Sequence, residues 1–173
     1  MIQTPLVGLV SVGLWLLVGR VSFDASTLAL TLAWFSRAAT LVFLIYYTAL
    51  DAIGGFGLGR AILNAKALAA AGRLTPEQLD GVRLLLNTNW VDPWVGGVGS
   101  FVSLTGSSSV FAASVTAALA LLRERKAPWP TLLLITAFGW ELQTSHTSPH
   151  GPIAFCLLLF AALWIWWVDR ARL

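Results

Sequence analysis

Long apolar stretches separated by short charged or proline-marked breaks organise this chain. The first runs from Pro5 to Val18 and is closed by Arg20. With its flanks, residues 3–20, it has the length of a membrane crossing, because about 20 helical residues match a hydrocarbon core of about 30 Å. Met1-Ile2-Gln3-Thr4 carries no positive charge, so a retained helix is expected rather than a cleaved signal. Asp24, Ser26 and Thr27 then offer side chains that cap a helix start. Helical patterning continues to Leu68, too far for one straight span. The expected division is a short interfacial or tilted piece through Ala33, then a second span over 35–63. Whether 24–34 lies at the interface or within a span stays open.

Residues 64–92 form the main extramembrane segment. Thr75-Pro76-Glu77-Gln78 is a helix-start signature: Thr75 caps, Pro76 takes the first helical position and Gln78 closes a capping box. Leu79, Val82, Leu85 and Leu86 follow at helical spacing, which predicts a surface helix over 75–88. Further spans are expected at 94–122, 129–143 and 152–168. The 94–122 stretch is rich in Gly, Ser and Thr, which favours close packing at the centre of a bundle over a water-lined cavity. The Trp cluster at 164–167 reads as an interfacial belt. The expected fold is therefore all-α: one integral membrane domain over 1–173, about five spans and an interfacial amphipathic helix.

Composition supports the same solvent. The chain is 57% hydrophobic and 11% charged, with a mean hydropathy of +0.78 and nine Trp, outside the range of soluble domains. A net charge of +3, carried on short loops, orients a protein in a bilayer and excludes nucleic acid as the expected partner. Arg20, Arg123 to Lys126 and Arg170 to Arg172 fall on one side of a five-span arrangement, with Arg37 near them. The positive-inside rule then gives an inner (plasma) membrane protein with its amino terminus outside and its carboxyl terminus cytoplasmic. The single Cys156 cannot form an internal disulfide and is expected as a small buried hydrophobe.

The polar break at 139–152 contains both histidines, His146 and His150, and the acid Glu141. On this topology it faces outward as a turn, because Pro149 and Pro152 oppose a continuous helix. Asp51 lies inside the second expected span, where an ionised carboxylate costs a few kcal/mol. It shares a face with Tyr47 and Gly55, and Gly55 with Gly59 predicts a close helix approach. Candidate catalytic residues are Asp51, Glu141, His146 and His150. Candidate ligand-binding residues are Tyr47, Asp51, Trp90, Asp92, Trp140, Glu141, His146 and His150. No cofactor is expected; zinc through His146, His150 and Glu141 is the alternative that these residue types allow. H-E-x-x-H, G-x-S-x-G, P-loop and G-x-G-x-x-G patterns are all absent from the sequence.

The stretches Tyr46 to Gly55 and His150 to Trp164 resemble segments of small bacterial multi-span membrane proteins that carry no assigned activity. The emopamil-binding family also uses buried acids in small helical bundles, but five spans and turn-borne histidines depart from it. The leading functional expectation is a non-enzymatic bundle that binds a lipophilic or small aromatic ligand, or a small subunit of a membrane complex or homo-oligomer. Alternatives are a membrane enzyme or proton-linked transporter using Asp51 and Glu141 with His146 or His150, and a vitamin-capturing subunit of an uptake system.

Overall fold

The computed structural model describes residues 3–145 and 149–171, which form helices and turns with no strand among them. In chain order these are α1 (Gln3–Val18), α2 (Thr27–Leu50), a π-helical segment (Asp51–Leu58), α3 (Gly59–Ala70), α4 (Pro76–Trp90), α5 (Phe101–Arg123), α6 (Trp129–Thr144) and α7 (His150–Arg170). Three helical stretches are long and apolar enough to cross a membrane: Thr27–Ala70, Phe101–Arg123 and His150–Arg170. The chain divides into two compact units, one made of the residues up to Leu44 with those from Ser107 onward, the other of Ile45–Gly106.

The first unit holds α1, the first part of α2, most of α5, and α6 and α7. Each helix buries one stripe at helical spacing. On α2 the stripe is Ala29, Ala33, Ser36, Thr40 and Phe43; on α7 it is Ala154, Leu158, Ala161 and Ile165. On α5 it is Val110, Ala113, Ser114, Ala117 and Leu121, small residues that let neighbours approach. Their hydroxyls are satisfied in place: Ser114 Oγ donates to the Val110 carbonyl at 2.8 Å, and Ser36 Oγ donates across to the Ala113 carbonyl at 2.8 Å. Close packing is thus seen over 110–121, whereas the Gly/Ser-rich residues 98–109 on which the expectation rested are mostly exposed or half-buried.

Cross-helix pairs fix the directions. Ser26 meets Glu124 while Ser36 meets Ala113, so α2 and α5 run antiparallel. A Cβ on Gly139 would touch Ser114, and Phe111 meets Trp140, so α5 and α6 are antiparallel too. Leu158 approaches Gly13 while Asp169 pairs with Arg20, which makes α1 and α7 parallel neighbours. The five helices of this unit therefore alternate in direction along the chain. One end is basic: the Arg20 guanidinium lies 2.9 Å from Asp169, and Ser26 N–H and Oγ both donate to Glu124 Oε1 at 3.2 and 2.8 Å. Ser26 also caps α2, its Oγ accepting from Ala29 N–H at 3.4 Å, so the Glu124 carboxylate sits at a helix start where negative charge is favoured.

In the second unit, α3 ends on Gly72 at φ 65°, with Arg73 N–H donating to the Leu68 carbonyl and Gly72 N–H to that of Ala69. This double closure needs a left-handed residue, which glycine supplies without strain. The expected capping box opens α4: Thr75 Oγ1 accepts from Gln78 N–H, and Gln78 Oε1 accepts from Thr75 N–H. Leu79, Val82 and Leu86 are half-buried, whereas Leu85 is exposed on the other side with Leu84.

Several boundaries differ from the sequence expectation. Helix α2 does not break near Ala33. It starts at Thr27 and stays helical through Ala70, 44 residues. Length alone, the reason for expecting a break, does not impose one here, and the polar residues within the helix find partners beside it, Ser36 in the Ala113 carbonyl and Arg37 in indole rings. The helix expected from Trp94 begins at Phe101, because 91–100 is a tight turn. Gly99 there takes φ 93° and Gly97 N–H donates to the Trp90 carbonyl at 2.7 Å. Nothing approaches Gly59, and Gly55 meets only the Asp51 side chain of its own helix, so the expected close approach at this pair is absent among the described residues. Cys156 is exposed rather than buried, since it lies off the Ala154–Leu158–Ala161 stripe of α7.

Candidate functional site

The candidate residues fall into both units. In the first, α6 delivers Trp140 and Glu141 in its last turn, and α7 delivers His150 in its first. His150 is thus helical rather than part of a turn. Pro149 precedes the helix and Pro152 occupies the first turn, where a missing N–H costs nothing. His150 Nδ1 and Glu141 Oε2 lie 2.8 Å apart, with the two side chains 39% and 27% exposed. A carboxylate accepting from an imidazole N–H orients the ring and leaves Nε2 for another partner. Two residues along α6, Gln143 Oε1 is buried and meets no hydrogen-bond donor among the described residues. Trp140 is 57% exposed and holds the Phe111 ring edge-on at 5.8 Å. His146 lies outside the described residues.

In the second unit, Tyr47 is buried near the end of α2, and its backbone lies against Gly106 at the start of α5. The Tyr46 ring meets Phe101 edge-on at 5.9 Å, and Phe101 in turn meets Trp94 at 5.6 Å. Asp51 opens the π-helical segment, its Oδ1 leaning toward Gly55. Tyr47, Asp51 and Gly55 come together as expected: the Asp51 carboxylate is close enough to interact with Tyr47, and its Oδ1 would lie 3.8 Å from a Cβ on Gly55. Trp90 and Asp92 serve the local turn. Asp92 Oδ1 accepts from Trp94 N–H at 2.8 Å and Val95 N–H at 2.9 Å, and the Trp90 indole covers Gly97 so closely that a Cβ there would lie 2.6 Å from the ring. Their polar and aromatic groups are committed to holding the backbone.

For zinc, Glu141 and His150 supply two donors bonded to each other, and no group of three candidate ligands occurs among the described residues. Two grooves run along the apolar surfaces of the first unit. One, of about 420 Å³, is lined by Leu134, Phe160, Leu163, Trp164 and Trp167. The other, of about 340 Å³, lies between α1 and α7 under the Arg20–Asp169 pair.

Sequence reasoning missed the pairs that tie the basic end together. Arg20 and Asp169 are 149 residues apart and Ser26 and Glu124 98 apart, separations no local pattern reveals. It also missed the setting of Arg37, whose guanidinium carbon lies 4.9 Å from the Trp34 ring centre and 5.6 Å from that of Trp15. The Trp34–Arg37 half was open to discovery as an i,i+3 pair.

No family model, curated protein or solved structure matches the chain.

Proposed function

We propose that the chain is an integral protein of the inner (plasma) membrane whose first unit crosses the bilayer five times, through α1, the first part of α2, α5, α6 and α7. The alternating directions of these helices support that count. Helices α1 and α6, 16 residues each, reach only about 24 Å against a core of about 30 Å and need their polar flanks to complete the crossing. The basic end, with Arg20, Arg123, Arg125, Lys126 and Arg170, is assigned to the cytoplasm by the positive-inside rule. The Glu141–His150 end then faces outward. A thiol-reactive, membrane-impermeant label should modify Ser145→Cys from outside and Ala127→Cys only after lysis, in a Cys156→Ala background. The reverse pattern sinks the orientation.

Within that frame, the Glu141–His150 end seats the polar group of a lipophilic or small aromatic ligand, in a free-standing binding protein or a small subunit of a membrane complex. The observation that carries this reading is the half-buried carboxylate–imidazole pair at 2.8 Å, at the same end of the unit as the exposed Trp140 indole. A few oriented polar groups at the edge of apolar surface are what such a ligand requires. Mass spectrometry of the purified protein should detect a co-purifying small molecule that is lost in Glu141→Gln and in His150→Ala. Retention of the same molecule by both variants removes the assignment.

A second reading, favoured by the direct acid–imidazole bond, is proton transfer through Glu141 and His150. Proteoliposomes would then show proton movement abolished by Glu141→Gln. Unchanged movement in that variant discards it.

A further inference from the structure

We infer that Arg37, held between Trp15 and Trp34, binds the phosphate of an anionic phospholipid at the basic end of the first unit. The inference rests on the membrane-spanning reading above. Arg37 lies ten residues into α2, about 15 Å from the helix start, inside a stretch apolar enough to cross a bilayer. A permanent cation at that depth needs compensation. Two indoles supply part of it: the guanidinium carbon is 4.9 Å from the Trp34 ring centre and 5.6 Å from that of Trp15.

What the rings leave over points to the ligand. Indole faces attract the cation but accept none of its five N–H groups as a carboxylate or phosphate would. Among the described residues Arg37 forms no ion pair, and its Nε is buried with no hydrogen-bond partner. Of the acids at this end, Asp169 pairs with Arg20 and Glu124 with Ser26, and neither they nor Asp24 form an ion pair with Arg37. Among the described residues, then, no acid supplies the counter-charge of Arg37. Trp15 and Trp34 are 45% and 55% exposed, so the site opens on the surface that faces lipid. There the available anion is a headgroup phosphate, whose paired oxygens match the edge of a guanidinium. The guanidinium lies over Trp34, one turn nearer the helix start, which on this reading is the direction of the headgroups.

The test uses the full-length protein in detergent, with native mass spectrometry during titration with phosphatidylglycerol or phosphatidylcholine. Wild type should retain phosphatidylglycerol in preference to phosphatidylcholine. Arg37→Gln should weaken phosphatidylglycerol binding at least fivefold and leave phosphatidylcholine unchanged, and Arg37→Lys should fall between, because it keeps charge but loses the planar fork. Should Arg37→Gln not fold, Trp34→Leu provides the second variant, with a smaller loss in the same direction. Equal phosphatidylglycerol retention in wild type and Arg37→Gln overturns the inference. Displacement of phosphatidylglycerol by millimolar inorganic phosphate overturns it as well, in favour of a free-anion site. Carbonate extraction of membranes reads the underlying assignment separately: release of the wild-type chain defeats the membrane reading, whereas retention with unselective lipid binding defeats this site alone.

Discussion

Gly139 and Ser114 are so close that a Cβ on the glycine would lie 2.5 Å from Ser114 Cβ and 2.6 Å from its Oγ. The Phe111 Cα, at 3.3 Å, blocks escape on the other side. Helices α5 and α6 thus meet at a contact where only glycine fits. Gly139→Ala should destabilise the first unit by about 1–3 kcal/mol through overpacking, seen as a lower melting temperature in detergent. Adding Ser114→Gly should recover part of the loss, because the two sites share one space. An unchanged melting temperature in Gly139→Ala contradicts the contact.

Arg125 closes α5 in the left-handed region at φ 51°, with Lys126 N–H on the Leu121 carbonyl and its own N–H on that of Leu122. This is the helix stop that glycine normally makes. A side chain there carries roughly 1 kcal/mol of strain. Arg125→Gly should accordingly raise stability by about 0.5–1 kcal/mol. A decrease in thermal stability would show that the side chain compensates for its backbone.

Glu124 is held below the ordinary glutamate range, first by the Ser26 hydroxyl and then by the Ser26 N–H. A carboxyl with a depressed folded pKa contributes stability above its unfolded value and loses that contribution as pH falls through the folded one. Melting temperature should drop as pH goes below about 4, and Glu124→Gln should flatten that slope. Identical pH profiles for the two proteins would refute the coupling.

Asp92 accepts two backbone N–H groups in the turn before α5. Asp92→Ala should leave both unpaired and speed hydrogen exchange across residues 91–101, with about 1–2 kcal/mol lost locally. Unaltered exchange there would show that these two hydrogen bonds do not hold the turn.

Local signals were the readable ones. The Thr75–Pro76–Gln78 start emerges where the sequence puts it, because a capping box is built from neighbours. Apolar composition alone could not separate a span from a turn at 94–100, since Trp94 and Val95 look like helix while Gly96, Gly97 and Gly99 serve a backbone reversal. Likewise the length of the helical pattern from Asp24 to Leu68 argues for a division near Ala33 that the continuous helix does not make. Of the candidate site, nearness in sequence foreshadowed Glu141 and His150 coming together. The turn roles of Trp90 and Asp92 depended on backbone geometry that residue types do not encode.

The Arg20–Asp169 pair carries a consequence for assembly. Helix α1 finds its parallel neighbour α7 only after about 150 further residues have been synthesised. Until then the nascent chain holds the Val7–Val10–Leu14–Val18 stripe without α7 beside it, so completion of this unit awaits late stages of translation. Truncation before α7 should leave α1 with its Trp15–Arg37 contact to α2 but without the Gly13–Leu158 and Arg20–Asp169 contacts, and so more prone to proteolysis.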